Sequence, residues 1–198
     1  GIDASADVIA EARRDHPDVS FATGDVYHLD VPDASFDVVH AHQLLQHVAD
    51  PTAALKEMRR IVRPGGIVAV RDADFGSFTW YPADDRLVRW LALYREIARA
   101  NRGEPDAGRY LLSWARQADF ARIESSASAW CFSTPDDRAW WGGLWADRIT
   151  TSAIATQAIR EGRSTQDELA ALADAWRAWA AADDGWLAML HGELICER

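Results

Sequence analysis

The chain has 198 residues, 48% of them hydrophobic, and 21 Lys and Arg against 31 Asp and Glu give it a net charge of −10 at pH 7. That length favours one well-buried domain, and the acidic balance argues against nucleic acid as a partner, because neutralising phosphates needs clustered Lys and Arg. No apolar run approaches the roughly 20 residues of a membrane span, and two distant cysteines, Cys131 and Cys196, fit a reducing cytoplasm better than a disulfide framework.

The first residues, Gly1-Ile2-Asp3, read as the end of a strand. Val8, Ile9 and Ala12 at helical spacing then predict a helix over 6–15, closed before Pro17, which disfavours helix at the residue preceding it. Val19 to Thr23 is β-branched and aromatic and runs into Gly24-Asp25, the pattern of a buried strand ending at a loop. After a turn-rich connection over 29–35, Phe36 to Ala41 is expected as a strand entering the centre of a sheet. Asp50-Pro51 starts a helix, with a side-chain acceptor at the N-cap and a proline where no backbone donor is lost. Its apolar face is Ala54, Leu55, Met58, Ile61 and Val62, and Arg63-Pro64-Gly65-Gly66 should end it and release the strand 67–70. Strand, helix, strand in this order implies a right-handed parallel crossover.

Beyond Asp72 the pattern changes. Phe75 to Pro82 is aromatic and turn-prone and reads as a lid or pocket wall, followed by helices over 86–100 and 109–118, a strand over 121–132 and a Trp-rich helical stretch over 136–160. Thr165 with Glu168 forms a capping box, and Leu169, Leu172, Trp176 and Trp179 make one buried stripe. Trp186 to Cys196 alternates as a last strand, antiparallel to 121–132. The expected class is α/β, a Rossmann-like doubly wound sheet with a ligand across its strand ends.

Several segments together resemble the class I S-adenosylmethionine-dependent methyltransferases, in particular the small-molecule subgroup related to quinone-biosynthesis enzymes. They are Gly1-Ile2-Asp3-Ala4-Ser5 with Ala12-Arg13, then Gly24-Asp25-Val26, then Phe36-Asp37-Val38-Val39 with Gln46-His47-Val48 and Asp50-Pro51, then Leu55 to Arg60 with Arg63-Pro64-Gly65-Gly66. The resemblance covers the first third closely. It implies a seven-stranded sheet in the order 3-2-1-4-5-7-6 with an antiparallel last strand, extra helices, and a single domain whose residues 1–75 hold the cofactor and 76–198 the substrate pocket. The family's first strand and its GxGxG loop belong immediately before Gly1, so the family pattern reads as N-terminally truncated here.

The resemblance also implies roles. Asp3, with Ala4 beside it, would accept hydrogen bonds from both ribose hydroxyls of S-adenosylmethionine, and Asp25 would accept from the adenine amine with the backbone of Val26 at the ring edge. A carboxylate suits both tasks because it only accepts; the plainer alternatives are a helix cap for Asp3 and a turn residue for Asp25. His42 and Gln43 would flank the methyl donor, with His40 turned into packing. His47 would face the pocket as general base or orienting group, or else pack under the lid. His40, His42 and His47 suggest a metal by type, but no acidic fourth ligand accompanies them, and no metal is expected. Asp72 and Asp74 read as solvated loop acids, and the tryptophans as core more than as pocket lining. Methyl transfer to an O, N or C nucleophile of a small hydrophobic or aromatic molecule is the implied activity. The alternatives are a non-catalytic binding protein of the same fold and a nicotinamide-dependent oxidoreductase, since an acid at the second strand end also suits NAD ribose. The oligomeric state is left open.

Overall fold

The computed structural model describes residues 1–198. Its strands are β1 (Ile2–Asp3), β2 (Ala22–Thr23), β3 (Phe36–His42), β4 (Val62–Ala73), β5 (Thr79–Tyr81), β6 (Arg122–Phe132) and β7 (Trp186–Glu197). Its α-helices are α1 (Ala6–Asp15), α2 (Pro51–Ile61), α3 (Asp85–Ala100), α4 (Leu111–Gln117), α5 (Pro135–Thr151), α6 (Ala153–Arg160) and α7 (Gln166–Ala181), with 3₁₀ turns at Leu45–His47, Phe75–Ser77 and Ala107–Arg109.

Caps set the helix starts. Asp50 Oδ1 accepts from Ala53 N at 2.9 Å, with Pro51 as the first residue of α2. Thr165 Oγ1 accepts from Glu168 N at 3.1 Å at the head of α7. The Glu168 carboxylate accepts from Ser164 Oγ and Arg89 Nε, both at 2.7 Å, and the Thr165 backbone amide helps to lower its pKa, as the reciprocal half of the box would. The stretch over 136–160 is two helices broken at Ser152, which is extended and caps α6 through Ile154 N.

The strands form two sheets. β1 and β2 pair in parallel as a two-stranded sheet, and β3 and β4 pair in parallel across the α2 crossover. β7 runs antiparallel to β4 and β5 on one side and to β6 on the other. The order 3-4-7-6 of the larger sheet and the pair 1-2 match the 4-5-7-6 and 3-2 portions of the implied order. No strand lies between β1 and β3, however, and the two sheets share no ladder. β3 is therefore an edge strand rather than a central one, with Phe36 42% and Val38 56% exposed. The small sheet is tied instead to α2: Arg60 donates to Leu29 O and Val31 O, each at 2.9 Å, and Tyr27 Oη accepts from Asp50 N at 2.9 Å.

Two further expectations change. The Arg63 to Gly66 breaker does not separate helix from strand, because β4 begins at Val62 opposite Phe36 and bulges before Ile67 meets Val38. Gly65, at φ 73°, supplies the left-handed residue of that bulge. Phe75 and Phe78 are buried core rather than a lid, and β5 joins the sheet.

The apolar residues collect into two cores on opposite faces of the large sheet. Leu45, Leu55, Met58, Val68, Val70, Leu111, Leu194 and Cys196 pack beneath α2 and α4. Trp90, Trp145 and Trp176 centre the other core, formed by α3, α5, α6 and α7 against Leu187 and Met189. Trp90 meets both other indoles edge-on at 4.6 Å, the T-shaped geometry that the ring quadrupole favours. Trp90 is fully buried, so Trp90→Ala should destabilise the protein by about 3–5 kcal/mol. Urea unfolding followed by tryptophan fluorescence and by circular dichroism measures this; a loss below ~1 kcal/mol would show that the helical layer is not held by this cluster.

Candidate functional site

The two parallel strand pairs deliver most of the sequence-selected residues to their C-terminal ends. In the small sheet Asp3 pairs in register with Thr23, so Asp3 and Asp25 sit at neighbouring strand ends. Both are exposed and partly occupied locally: Asp3 Oδ1 accepts from Ser5 N at 2.7 Å, and Asp25 Oδ1 accepts from Tyr27 N at 3.0 Å. The plainer roles of cap and turn are thus realised. The second oxygen of Asp3 has no protein partner, and that of Asp25 has only His28 Nδ1 at 3.7 Å. Ala4 is exposed and Val26 half-buried beside them. Two exposed carboxylates, each with an uncommitted acceptor on one strand edge, fit the hydroxyls and amine of an adenosyl group.

At the end of the large sheet the chain turns sharply after His42. Gln43 is left-handed at φ 52°, an uncommon conformation for a residue with a side chain. Its N–H donates to Arg71 O at 2.7 Å, extending the β3–β4 ladder by one bond before the chain enters the 3₁₀ turn Leu45–His47.

That turn is clamped at both ends. No residue of its own caps it; Asp72, at the end of β4, does so from 26 residues away, its Oδ1 accepting from Gln46 N at 3.0 Å. At the other end Gln46 O accepts from Glu104 N at 3.0 Å. A Cβ on Gly103 would lie 2.6 Å from Gln46 O, so only glycine permits this approach. Asp72 itself is sealed where Gly108 meets Gly192, whose Cβ would fall 2.0 Å from Gly108 O.

Asp72 and Asp74 are therefore not solvated loop acids. Asp72 is fully buried with Oδ2 unpartnered, and Asp74 is bound by both Arg109 Nε and Nη2, at 2.8 and 2.7 Å. Burial drives the Asp72 carboxyl up to about 7, against the smaller opposing effect of the Gln46 and Leu45 amides.

Beside the turn, Gln46 and His47 face Tyr94, Ile97 and Ala98 of α3, Asn101 just past its end and Ile154 of α6 across a cleft of about 220 Å³. Tyr94 stacks on Phe75 at 4.2 Å, and burial pushes its hydroxyl up to about 12, so it stays protonated. The packing around His47 lowers its pKa below the usual imidazole value although its outer edge is exposed.

His191, on β7, is fully buried behind this wall with its ring 4.3 Å from Trp130. Burial first, then the Arg71 charge, lowers it to about 4, so it is neutral. Arg71 lies over Trp130 at 5.2 Å and pairs with Glu193 at 2.9 Å. His42 is exposed on this same face and is lowered by desolvation, by Arg71 and by His40; His40 is also exposed rather than packed.

The structure thus brings Asp3 near Asp25 at the end of the small sheet and links Gln43 to His47 through Gln46 beyond the end of the large one, while the His42 ring lies 6.2 Å from Trp130. Sequence reasoning missed Gln46, Tyr94 and His191 and misread Asp72. For His191 a signal existed: it falls in period two with Leu187 and Met189, which marks an inward position.

Known proteins agree with this architecture. Residues 1–70 match the methyltransferase domain family. The chain is 34% identical over 184 residues to an uncharacterised methyltransferase of Schizosaccharomyces pombe, covering 90% of this chain and 64% of that protein. A demethylmenaquinone methyltransferase of Beutenbergia cavernae is 36% identical over 110 residues, covering 55% of this chain and 45% of the relative. In fold it resembles the phosphoethanolamine N-methyltransferase 2 of Haemonchus contortus solved with S-adenosylhomocysteine, at a TM-score of 0.55 and 18% identity over 100% of this chain and 43% of that one. Over its first third and against the Schizosaccharomyces pombe relative the chain is thus similar to methyltransferases, and it shares their fold while spanning less than two thirds of the length of these relatives.

The raised pKa of Asp72 carries a sign. Its folded pKa of about 7 lies above the ordinary carboxyl value of 3.8, so the native state holds the proton more tightly and stability falls as pH rises between those values. From pH 5 to pH 8 the loss should be on the order of 2 kcal/mol, and Asp72→Asn, which keeps an oxygen for Gln46 N, should flatten it. Urea midpoints for both proteins across this range measure the difference; parallel profiles would place Asp72 outside the pH dependence.

Proposed function

We propose that this chain carries out S-adenosylmethionine-dependent methyl transfer to an O, N or C nucleophile of a small hydrophobic or aromatic molecule. The observation that carries the reading is the cleft between His47 and Tyr94, polar at one wall and apolar along Ile97, Ala98 and Ile154, placed at the strand ends of a methyltransferase fold. Bound S-adenosylmethionine would supply a methyl group already activated on a sulfonium sulfur. What remains for the protein is to align the nucleophile and exclude water.

In this reading Asp3 and Ala4 hold the ribose, Asp25 and Val26 the adenine, and His42 and Gln43 flank the donor. His47 is the catalytic group that touches the methyl acceptor, as base or as orienting residue. The half over 1–75 binds cofactor and the half over 76–198 closes over substrate. The quinone-methyltransferase relatives support a flat, apolar acceptor, and the net charge of −10 speaks against nucleic acid. No helix is long and apolar enough to cross a membrane. Two free cysteines suit a reducing compartment, and we place the protein in the cytoplasm. The methyltransferase relatives favour this reading over the nicotinamide alternative.

Calorimetry of the chain with S-adenosylmethionine, S-adenosylhomocysteine and NAD tests the cofactor. Binding of the first two and not the third is expected, and failure of both sulfur compounds to bind would sink the reading. Asp3→Ala and Asp25→Ala should each weaken adenosyl binding by about 1–3 kcal/mol; unchanged affinity would remove the residue from the site. With a methyl-labelled donor and a panel of phenols and hydroquinones, His47→Ala should lower turnover by about 10²–10⁴ while cofactor affinity holds. An unaffected rate would exclude His47 from the chemistry.

A further inference from the structure

His47 is the end of a chain of side chains that runs from the cleft to the buried face of β7. Gln46 Nε2 lies 3.0 Å from His47 Nε2 and 3.5 Å from Gln43 Oε1, and Gln43 Nε2 lies 3.4 Å from His191 Nε2. An amide nitrogen only donates. Gln46 therefore gives one hydrogen to His47 and the other to Gln43, and Gln43 gives one to His191. Both imidazoles accept through Nε2, so each neutral ring carries its proton on Nδ1.

The opposite polarity, with both amides turned over, also links the four residues, but it is costlier. Gln46 Oε1 is buried without a partner. Turning the amide would put an NH₂ group in that dry position, and a buried unpaired donor is less tolerated than a carbonyl with spare acceptor capacity. The His191 Nδ1–H that the first polarity requires is buried without a full hydrogen bond, and the Met189 backbone beside the ring is the group that favours its proton. Gln46 is held independently, its N–H on Asp72 and its carbonyl on Glu104 N, and Gln43 sits in its left-handed turn. The relay is anchored by backbone at both amides.

We infer that Gln46, backed by Gln43 and His191, is a positioning residue that locks His47 as the neutral Nδ1–H tautomer. His47 then meets the methyl acceptor as a hydrogen-bond donor, not as a base. The acceptor is accordingly a molecule that presents an oxygen or nitrogen lone pair to Nδ1–H, such as a phenolate or a carbonyl next to the methylated atom. The nucleophile gives no proton to His47 Nε2, which already accepts from Gln46. A protonated His47 would set an N–H against the Gln46 amide N–H, so the lock also opposes the imidazolium. This rests on the methyl-transfer reading only for what the donor is used for; the tautomer stands on the geometry alone.

The groups facing His47 are few. Tyr94 of α3 and Asn101 just past its end share its cleft, the Asp72 carboxylate is engaged with the Gln46 backbone, and Arg102 and Glu104, whose carboxylate pairs with Arg99, line the neighbouring groove beyond Val48. Burial, rather than any of these charges, lowers the His47 pKa.

Nitrogen NMR of the ¹⁵N-histidine-labelled chain, without cofactor, reads the tautomer directly. At pH 7 His47 should be the neutral Nδ1–H form, titrating below the usual imidazole value. Gln46→Glu places a carboxylate against Nε2, and should switch the ring to a protonated Nε2 and raise its midpoint by about one pH unit or more. Gln46→Leu should release a mixture of tautomers, and Gln43→Leu should shift the His191 signal while leaving the cleft intact. An Nε2–H tautomer in the unsubstituted chain would overturn the lock without any variant having to fold. So would an unchanged His47 midpoint in a folded Gln46→Glu protein. Loss of S-adenosylmethionine binding in calorimetry would instead overturn the methyl-transfer reading and leave the tautomer assignment standing.

Discussion

The carboxylate of Asp72 is the constraint on which the site depends. It reaches across from the end of β4 to the first amides of the turn at Leu45–His47, a turn too short to supply its own cap. A one-turn helix has almost no cooperative stability of its own, so its position must be imposed from outside. Asp72 imposes it at one end and the backbone of Glu104 at the other. The cost is a carboxyl held out of water with one oxygen unpartnered, which the protein meets by keeping the group close to its neutral form near pH 7. A proton on Asp72 leaves its acceptor role intact, so the cap survives in either charge state.

β7 explains why the cleft is where it is. Its first half, with Leu187, Met189 and His191, packs against the Trp-rich helices, while its second half, with Leu194 and Cys196, packs against the opposite layer under α2 and α4. The strand changes its covered face at Gly192, the point at which the turn Ala107–Arg109 presses on the sheet and Asp72 is paired. Both cores therefore end at the same place, and the polar residues that sit there, His191, Asp72, Gln43, Gln46 and His47, belong fully to neither. Polar groups at such a junction can be buried yet remain next to an open cleft.

How legible these features were in the residues differs by the range of the interaction behind them. Asp50-Pro51 and Thr165 declare helix starts because an N-cap bonds within three residues, and both were readable. The antiparallel last strand was readable from its period-two alternation. Asp72 was not, because its partners lie 26 residues upstream and nothing local separates a distant cap from a solvated loop acid. β3 reads as a central strand because Phe36 to Ala41 is apolar, and apolarity does not report which neighbours are present to cover it. The Arg63 to Gly66 cluster reads as a terminator because Pro and Gly break helices, but the same residues also make a bulge within a strand. Asp3, Asp25, His42, Gln43 and His47 were selected from family resemblance; in the structure Asp3 and His42 end strands, Asp25 and Gln43 follow strands, and His47 closes the 3₁₀ turn beyond β3.

The polar wall of the cleft also narrows what chemistry this end of the sheet can offer. Histidine is usually invoked as a base because its unperturbed pKa lies near neutrality, yet a base needs a free lone pair facing its substrate. At His47 the lone pair at Nε2 is taken by Gln46 at 3.0 Å, within an amide chain that ends on a buried ring. Tyr94 across the cleft is held protonated by burial. A neutral imidazole that keeps only its Nδ1–H and a phenol that keeps its proton are built to donate hydrogen bonds. For a donor whose methyl group is already activated, that suffices: the wall need only hold an electron-rich atom in line and keep water out.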